Sequence, residues 1–156
     1  MDTPYEKLLA NLARAEVKFI VVGGVAVALN GFVRTTDDVD ILIEPSPENV
    51  ERLLKELASF GAGHAGELSL QDFGEEEGAV RVIEEFPLDI FTVMRGHSYH
   101  DLLERVRETS IRGRTIHFLD AEGLIRLKQD SAREKDQIDI SALRKQIQEA
   151  DGSGTA

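Results

Sequence analysis

The stretch that decides the fold runs Val17-Lys18-Phe19-Ile20-Val21-Val22-Gly23-Gly24-Val25-Ala26 and reaches Asp37-Asp38-Val39-Asp40-Ile41-Leu42-Ile43 twelve residues after Val25. The β-branched run ending abruptly in Gly23-Gly24 reads as a buried strand followed by a tight turn. Residues 25–30 then read as a short helix, stopped by Asn30-Gly31. Residues 39–43 form a second strand, with Asp38 and Asp40 at its start. Side chains alternate along a strand, so these two carboxylates share one face while Val39 points into the core.

Outward from this centre, helices and strands alternate. Residues 5–15 place Leu8, Leu9 and Leu12 on one helical face. Ser46-Pro47-Glu48 is a helix start, with Ser as the cap and Pro at the first helical position. Val50, Leu53, Leu54 and Leu57 continue it at i, i+3, i+4 and i+7, and Gly61 and Gly63 close it. Three strands are expected at residues 67–72, 79–84 and 88–93, with an acidic hairpin loop at 74–78 between the first two. Residues 101–107 read as a helix. Arg112-Gly113-Arg114 reads as a hairpin turn between residues 110–111 and 115–118. Asp120 caps a helix running to about residue 132, and a last helix carries Ile138, Ile140, Leu143 and Ile147. The expected fold is α/β (α+β), a mixed twisted sheet flanked by helices. Residues 1–149 form one domain in this reading, and 150–156 a flexible tail.

Composition narrows the function. The chain has 156 residues, enough for one core, and no cysteine, which excludes disulfides and thiolate metal sites. No apolar run approaches the ~18 residues of a membrane span, and the acidic N-terminus lacks the features of a secretory signal, so a cytoplasmic protein is expected. The net charge of −11, from 29 acidic and 18 basic side chains, argues against a duplex DNA surface. That charge is uneven. Residues 67–85 hold seven acids against Arg81 alone, whereas residues 105–145 hold ten basic and seven acidic residues, leaving room for a local anionic ligand.

Two carboxylates one residue apart on a strand edge repel unless a cation or donors sit between them, and hard oxygen ligands suit Mg²⁺ or Mn²⁺. Asp89, a single acid in Pro87-Leu88-Asp89-Ile90-Phe91, can join them if its strand lies beside residues 39–43. Three converging acids can hold two divalent ions, serving the attacking and leaving oxygens of phosphoryl chemistry. The competing reading is that these Asp residues satisfy local backbone donors. Gly23-Gly24 between strand and helix lets a phosphate approach backbone N–H groups, although a Gly pair there is also an ordinary turn. Neither a P-loop nor a Gly-x-Gly-x-x-Gly loop is present, and Gly-x-Ser-x-Gly is absent. Of His64, His97, His100 and His117, only the weak His97/His100 pair has any ligand-like spacing.

Together, Gly23-Gly24, Arg34-Thr35-Thr36-Asp37-Asp38-Val39-Asp40 and Leu88-Asp89-Ile90 resemble the nucleotidyltransferase superfamily, the polymerase-beta-like fold. The arrangement is similar to small bacterial members, including the AbiEii-type toxin branch, and extends over residues 17–139. The resemblance implies transfer of an NMP from an NTP to an acceptor hydroxyl, with two Mg²⁺ or Mn²⁺ ions. Asp38 and Asp40 would ligate the metals, with Asp89 as third ligand and base for the acceptor. Gly23 and Gly24 would contact the triphosphate. Arg34 and Thr36 would contact phosphate, or Arg34 would clamp Asp37 or Asp38. Lys128 would neutralise triphosphate charge. Arg133, Lys135, Asp136 and Asp139 either belong to the site or form a salt-bridge network between the last two helices. The acceptor implied is an RNA end, a protein or a small molecule, and the toxin branch adds an antitoxin partner. The alternative is a non-catalytic nucleotide- or partner-binding module on the same fold.

Overall fold

The structure, a computed structural model, describes residues 4–32, 38–74, 78–129 and 134–152. Its centre is a six-stranded mixed sheet built from β1 (Phe19–Val22), β2 (Val39–Ile43), β3 (Ala79–Ile83), β4 (Pro87–Phe91), β7 (Val106–Ile111) and β8 (Arg114–Leu119), in the order β3-β4-β2-β1-β8-β7. Pairing is antiparallel at β3–β4, β2–β1 and β8–β7, and parallel at β4–β2 and β1–β8. A separate two-stranded ribbon joins β5 (Val93–Met94) to β6 (His97–Ser98).

Every residue of β1 is buried, so both faces of the central strand are covered. Helix α1 (Pro4–Arg14) lies against β8 and β7 and packs on α3 (Pro47–Leu57). Helix α2 (Gly23–Leu29) lies on β1, β2 and β8 and touches α5 (Ala121–Lys128), which packs against α6 (Glu134–Gly152). A short α4 (Tyr99–Leu102) leads into β7 through a 3-10 turn. Leu8, Leu9, Leu12, Val50, Leu53 and Leu57 all lie in the core, as their helical spacing requires.

Two polar residues lock the elements around the sheet centre. Buried Asn49, at the start of α3, accepts from the Lys18 amide at 2.7 Å and donates to the carbonyls of Lys18 (3.0 Å) and Glu44 (2.8 Å). It thereby ties α3 to the entry of β1 and the exit of β2. Asn30, which ends α2, donates to the carbonyls of Ala26 (2.8 Å) and Leu119 (3.0 Å), fastening α2 to β8. Ser46 caps α3 through the Asn49 amide, and Asp120 caps α5 through the Gly123 amide.

The chain departs from the sequence reading at five places. Residues 67–72 form no strand; they lie in two 3-10 turns, His64–Glu67 and Leu70–Asp72. The Asp72 carboxylate accepts from the Ser69 amide at 2.8 Å, and such local bonds compete with a sheet ladder. Residues 101–107 are not one helix: α4 ends at Leu102 and β7 begins at Val106. The cause is the two-residue turn Arg112-Gly113, with φ of 51° and 77°, whose twist extends the β7–β8 ladder back to Val106. Helix α2 begins at Gly23 rather than at Val25, and α5 ends at Lys128 rather than near residue 132. Helix α6 continues to Gly152. Among the described residues, no helix is long and apolar enough to cross a membrane.

Candidate active site

The registers of four strands place one row of residues across the sheet. Val22 of β1 pairs with Asp40 of β2, Asp40 with Asp89 of β4, and Asp89 with Arg81 of β3. Cross-strand partners share a face. Asp38 precedes β2 by one residue and lies on Asp40's face, with buried Val39 between them. An oxygen from each of Asp38, Asp40 and Asp89 lies within 4.8 Å of the others. Asp89, although on a strand of apolar residues, is nearly enclosed, with 6% exposure.

These acids fit a divalent ion. All three donors are hard carboxylate oxygens, the set that Mg²⁺ and Mn²⁺ prefer. The Asp40 carboxyl is pushed up from 3.8 to about 7, first by burial and then by the charges of Asp38 and Asp89. Lys128 acts in the opposite sense and pulls it down. A cation among the three would relieve that repulsion.

Gly23 stands against this cluster. Its φ is +68°, in the left-handed region, and a Cβ built there would lie 2.0 Å from Oδ2 of Asp40. Only glycine allows the chain to turn from β1 into α2 so close to the Asp40 carboxylate. Gly24 is buried in the first turn of α2. Lys128, at the end of α5, holds Asp139 of α6 with Nζ–Oδ2 at 3.2 Å, and both side chains are largely buried. Asp139 thus joins the two last helices through Lys128. Arg34, Thr36 and Arg133 lie outside the described residues, as do the side chains of Lys135 and Asp136. His64 pairs with Glu84 and His117 with Glu108, both away from the acid cluster.

Sequence reasoning missed Arg81. Its Nε donates to Asp89 Oδ1 at 2.7 Å and its Nη2 to Asp89 Oδ2 at 2.8 Å, a two-pronged ion pair. The same Nη2 lies 3.5 Å from Asp38 Oδ2. Hydrogen bonding to Asp89, reinforced by that carboxylate's charge, raises the guanidinium pKa further. The available signal was the lone basic residue on a strand within an acid-rich segment. The short connection through residues 84–86 sets the register that brings it opposite Asp89.

A six-stranded mixed sheet with a Gly-Gly strand end and three convergent carboxylates defines a nucleotidyltransferase-type domain. The chain belongs to the family described as nucleotidyl transferase of unknown function (DUF2204), whose model matches residues 2–154. Solved structures agree in fold. The lincosamide antibiotic adenylyltransferase LnuA, lincomycin-bound, is 18% identical, with 92% of this chain and 96% of that one covered at a TM-score of 0.64. A putative nucleotidyltransferase from Thermotoga maritima is 19% identical over 96% of both chains, with a TM-score of 0.54. An antigenic nucleotidyltransferase-like protein from Paracoccidioides brasiliensis is 19% identical over 91% of this chain and 74% of that one, also at 0.54. No curated protein sequence matches the chain.

Proposed function

We propose that this nucleotidyltransferase is metal-dependent and moves an NMP from an NTP to an acceptor hydroxyl, releasing pyrophosphate. The observation that carries this reading is the parallel register of β2 and β4, which sets Asp40 beside Asp89 with Asp38 on the same face. When bound, Mg²⁺ or Mn²⁺ would supply charge to polarise the α-phosphate and stabilise the leaving pyrophosphate. Asp38, Asp40 and Asp89 would hold two such ions. Asp89, the most enclosed of the three, would also orient the acceptor hydroxyl and accept its proton. Gly23 and Gly24, at the turn beside Asp40, would let the β- and γ-phosphates approach the backbone. Lys128 would contribute positive charge from its buried pair with Asp139, a charge already felt at Asp40. Catalysis in this arrangement is positioning and charge stabilisation. Arg34 and Thr36 remain proposed phosphate contacts on the resemblance of their motif.

The test is pyrophosphate release from each of the four NTPs with Mg²⁺ or Mn²⁺. The acceptor panel spans hydroxylated small molecules of the lincosamide kind, RNA 3′ ends and protein hydroxyls. Wild type is expected to turn over with one donor–acceptor pair, and Asp40→Ala is expected to lose that turnover while keeping its circular dichroism spectrum. Full activity in folded Asp40→Ala would overturn the assignment.

A further inference from the structure

The guanidinium of Arg81 occupies a peculiar position. Its Nη2 contacts an oxygen of Asp89 at 2.8 Å and an oxygen of Asp38 at 3.5 Å, bridging two of the three acids. A bridging divalent ion would stand in that place. Both Asp89 oxygens already accept from Arg81, one from Nε and one from Nη2.

Three acids held so close repel one another, and a positive partner favours their arrangement before any ion arrives. Among the described residues, Arg81 pairs directly with two of the three acids, at 2.7 Å from Asp89 and 3.5 Å from Asp38. Arg81 is also free to leave. It sits on β3, the outer strand of the sheet, and its side chain is 51% exposed. Swinging it into water would break no core packing, and the exposed end of a guanidinium regains solvent at little cost.

We propose that Arg81 is a displaceable counter-cation. It holds Asp38 and Asp89 in place in the metal-free protein and is expelled from Asp89 when a divalent ion binds. This rests on the reading of the acid cluster as a metal site, and it adds that the ion must compete with a residue of the chain itself. The rival arrangement keeps Arg81 on Asp89 throughout, as a permanent orienting partner of a metal ligand. The two differ in where the Arg81 guanidinium sits once the ion is bound.

The experiment is Mn²⁺ titration without nucleotide, followed by electron paramagnetic resonance of the free ion, for wild type, Arg81→Gln and Asp40→Ala. Displacement predicts that Arg81→Gln binds Mn²⁺ tighter, by about three- to tenfold for loss of one partly exposed ion pair. Unchanged or weaker binding in Arg81→Gln, with wild-type binding that depends on Asp40, would overturn the proposal and leave the metal site standing. Absence of Asp40-dependent Mn²⁺ binding in wild type would overturn both. A second readout needs only the wild-type fold, with the assignment taken from Arg81→Lys. In ¹⁵N-labelled protein, the Arg81 Nε–H resonance is expected to be protected from solvent exchange without Mg²⁺ and to become fast-exchanging at saturating Mg²⁺. A resonance that stays protected at saturation would equally overturn displacement.

Discussion

Replacing Gly23 by alanine separates two costs that the structure makes distinct. The first is conformational: at φ +68° an L-residue pays about 1–2 kcal/mol, partly offset by the stiffer unfolded chain. The second is steric: the new Cβ would sit 2.0 Å from Asp40 Oδ2, whereas real Cβ atoms keep at least 3.0 Å. Either the carboxylate or the start of α2 must move by about an ångström, at a cost of about 1–3 kcal/mol for an overpacked site. Gly113 supplies the control. Its φ is +77°, but nothing lies within 4 Å of its Cβ position, so Gly113→Ala pays the first cost alone. Urea denaturation of metal-free protein should therefore show a loss of about 1 kcal/mol for Gly113→Ala and about 2–4 kcal/mol for Gly23→Ala. Mn²⁺ binding should be untouched in Gly113→Ala and at least about tenfold weaker in Gly23→Ala, because Asp40, the proposed ligand, would no longer close on an ion once displaced by about an ångström. If the two variants lose equal stability and bind Mn²⁺ alike, the approach of Gly23 to Asp40 does not shape the site.

Three further outcomes follow from particular contacts. Asn49→Ala removes three hydrogen bonds of a buried side chain at the α3–β1–β2 junction and should cost about 2–4 kcal/mol in chemical denaturation, with no change in helix content of the folded state. Asp139→Ala removes the buried carboxylate that Lys128 holds at 3.2 Å and should cost about 3–5 kcal/mol, while Lys128→Met/Asp139→Leu should recover most of that loss but not the turnover. Glu84 is lowered from 4.5: burial alone would raise it, but backbone amides of Ala62, His64 and Gly63 and the His64 ring outweigh burial. Its folded pKa lies below its unfolded one, so the stability it contributes is present above about pH 4.5 and is lost as pH falls through the lower folded value. The stability gap between wild type and Glu84→Gln in melting curves should accordingly be open at pH 7 and closed at strongly acidic pH.

The parts of the fold legible in the sequence were those fixed locally. The β-branched run into Gly23-Gly24, the Ser46-Pro47 cap and the apolar spacing of α3 each carry their structure within one turn or strand. The alternation of Asp38, Val39 and Asp40 likewise sets which side chains share a face. What escaped was decided by competition or by pairing. Residues 67–72 alternate like a strand, but Ser69 and Asp72 bond to each other's backbone and curl the segment. Val106 and Arg107 follow a helix-like stretch, yet the tight Arg112-Gly113 turn recruits them into a ladder. Arg81 stands out in sequence as a lone base among acids, but its meaning comes from lying opposite Asp89 across β3 and β4. The role of Lys128 depended on a partner on another helix, which no local pattern announces.

The parallel pairing of β2 with β4 has a consequence for how the protein comes to work. Asp40 meets Asp89 only after the chain has passed through α3, the two 3-10 turns and β3 and returned to the sheet centre. Such a long excursion must close before its contacts repay the lost chain entropy, so this pairing belongs among the late events of folding. A slip of one residue would turn Asp89 to the opposite face and set an aliphatic side chain beside Asp40. On the proposed metal site, affinity for a divalent ion would then be a proofreading signal: the ion would recognise only molecules whose strands have zipped in the right frame, and by binding them would draw the refolding population toward that frame.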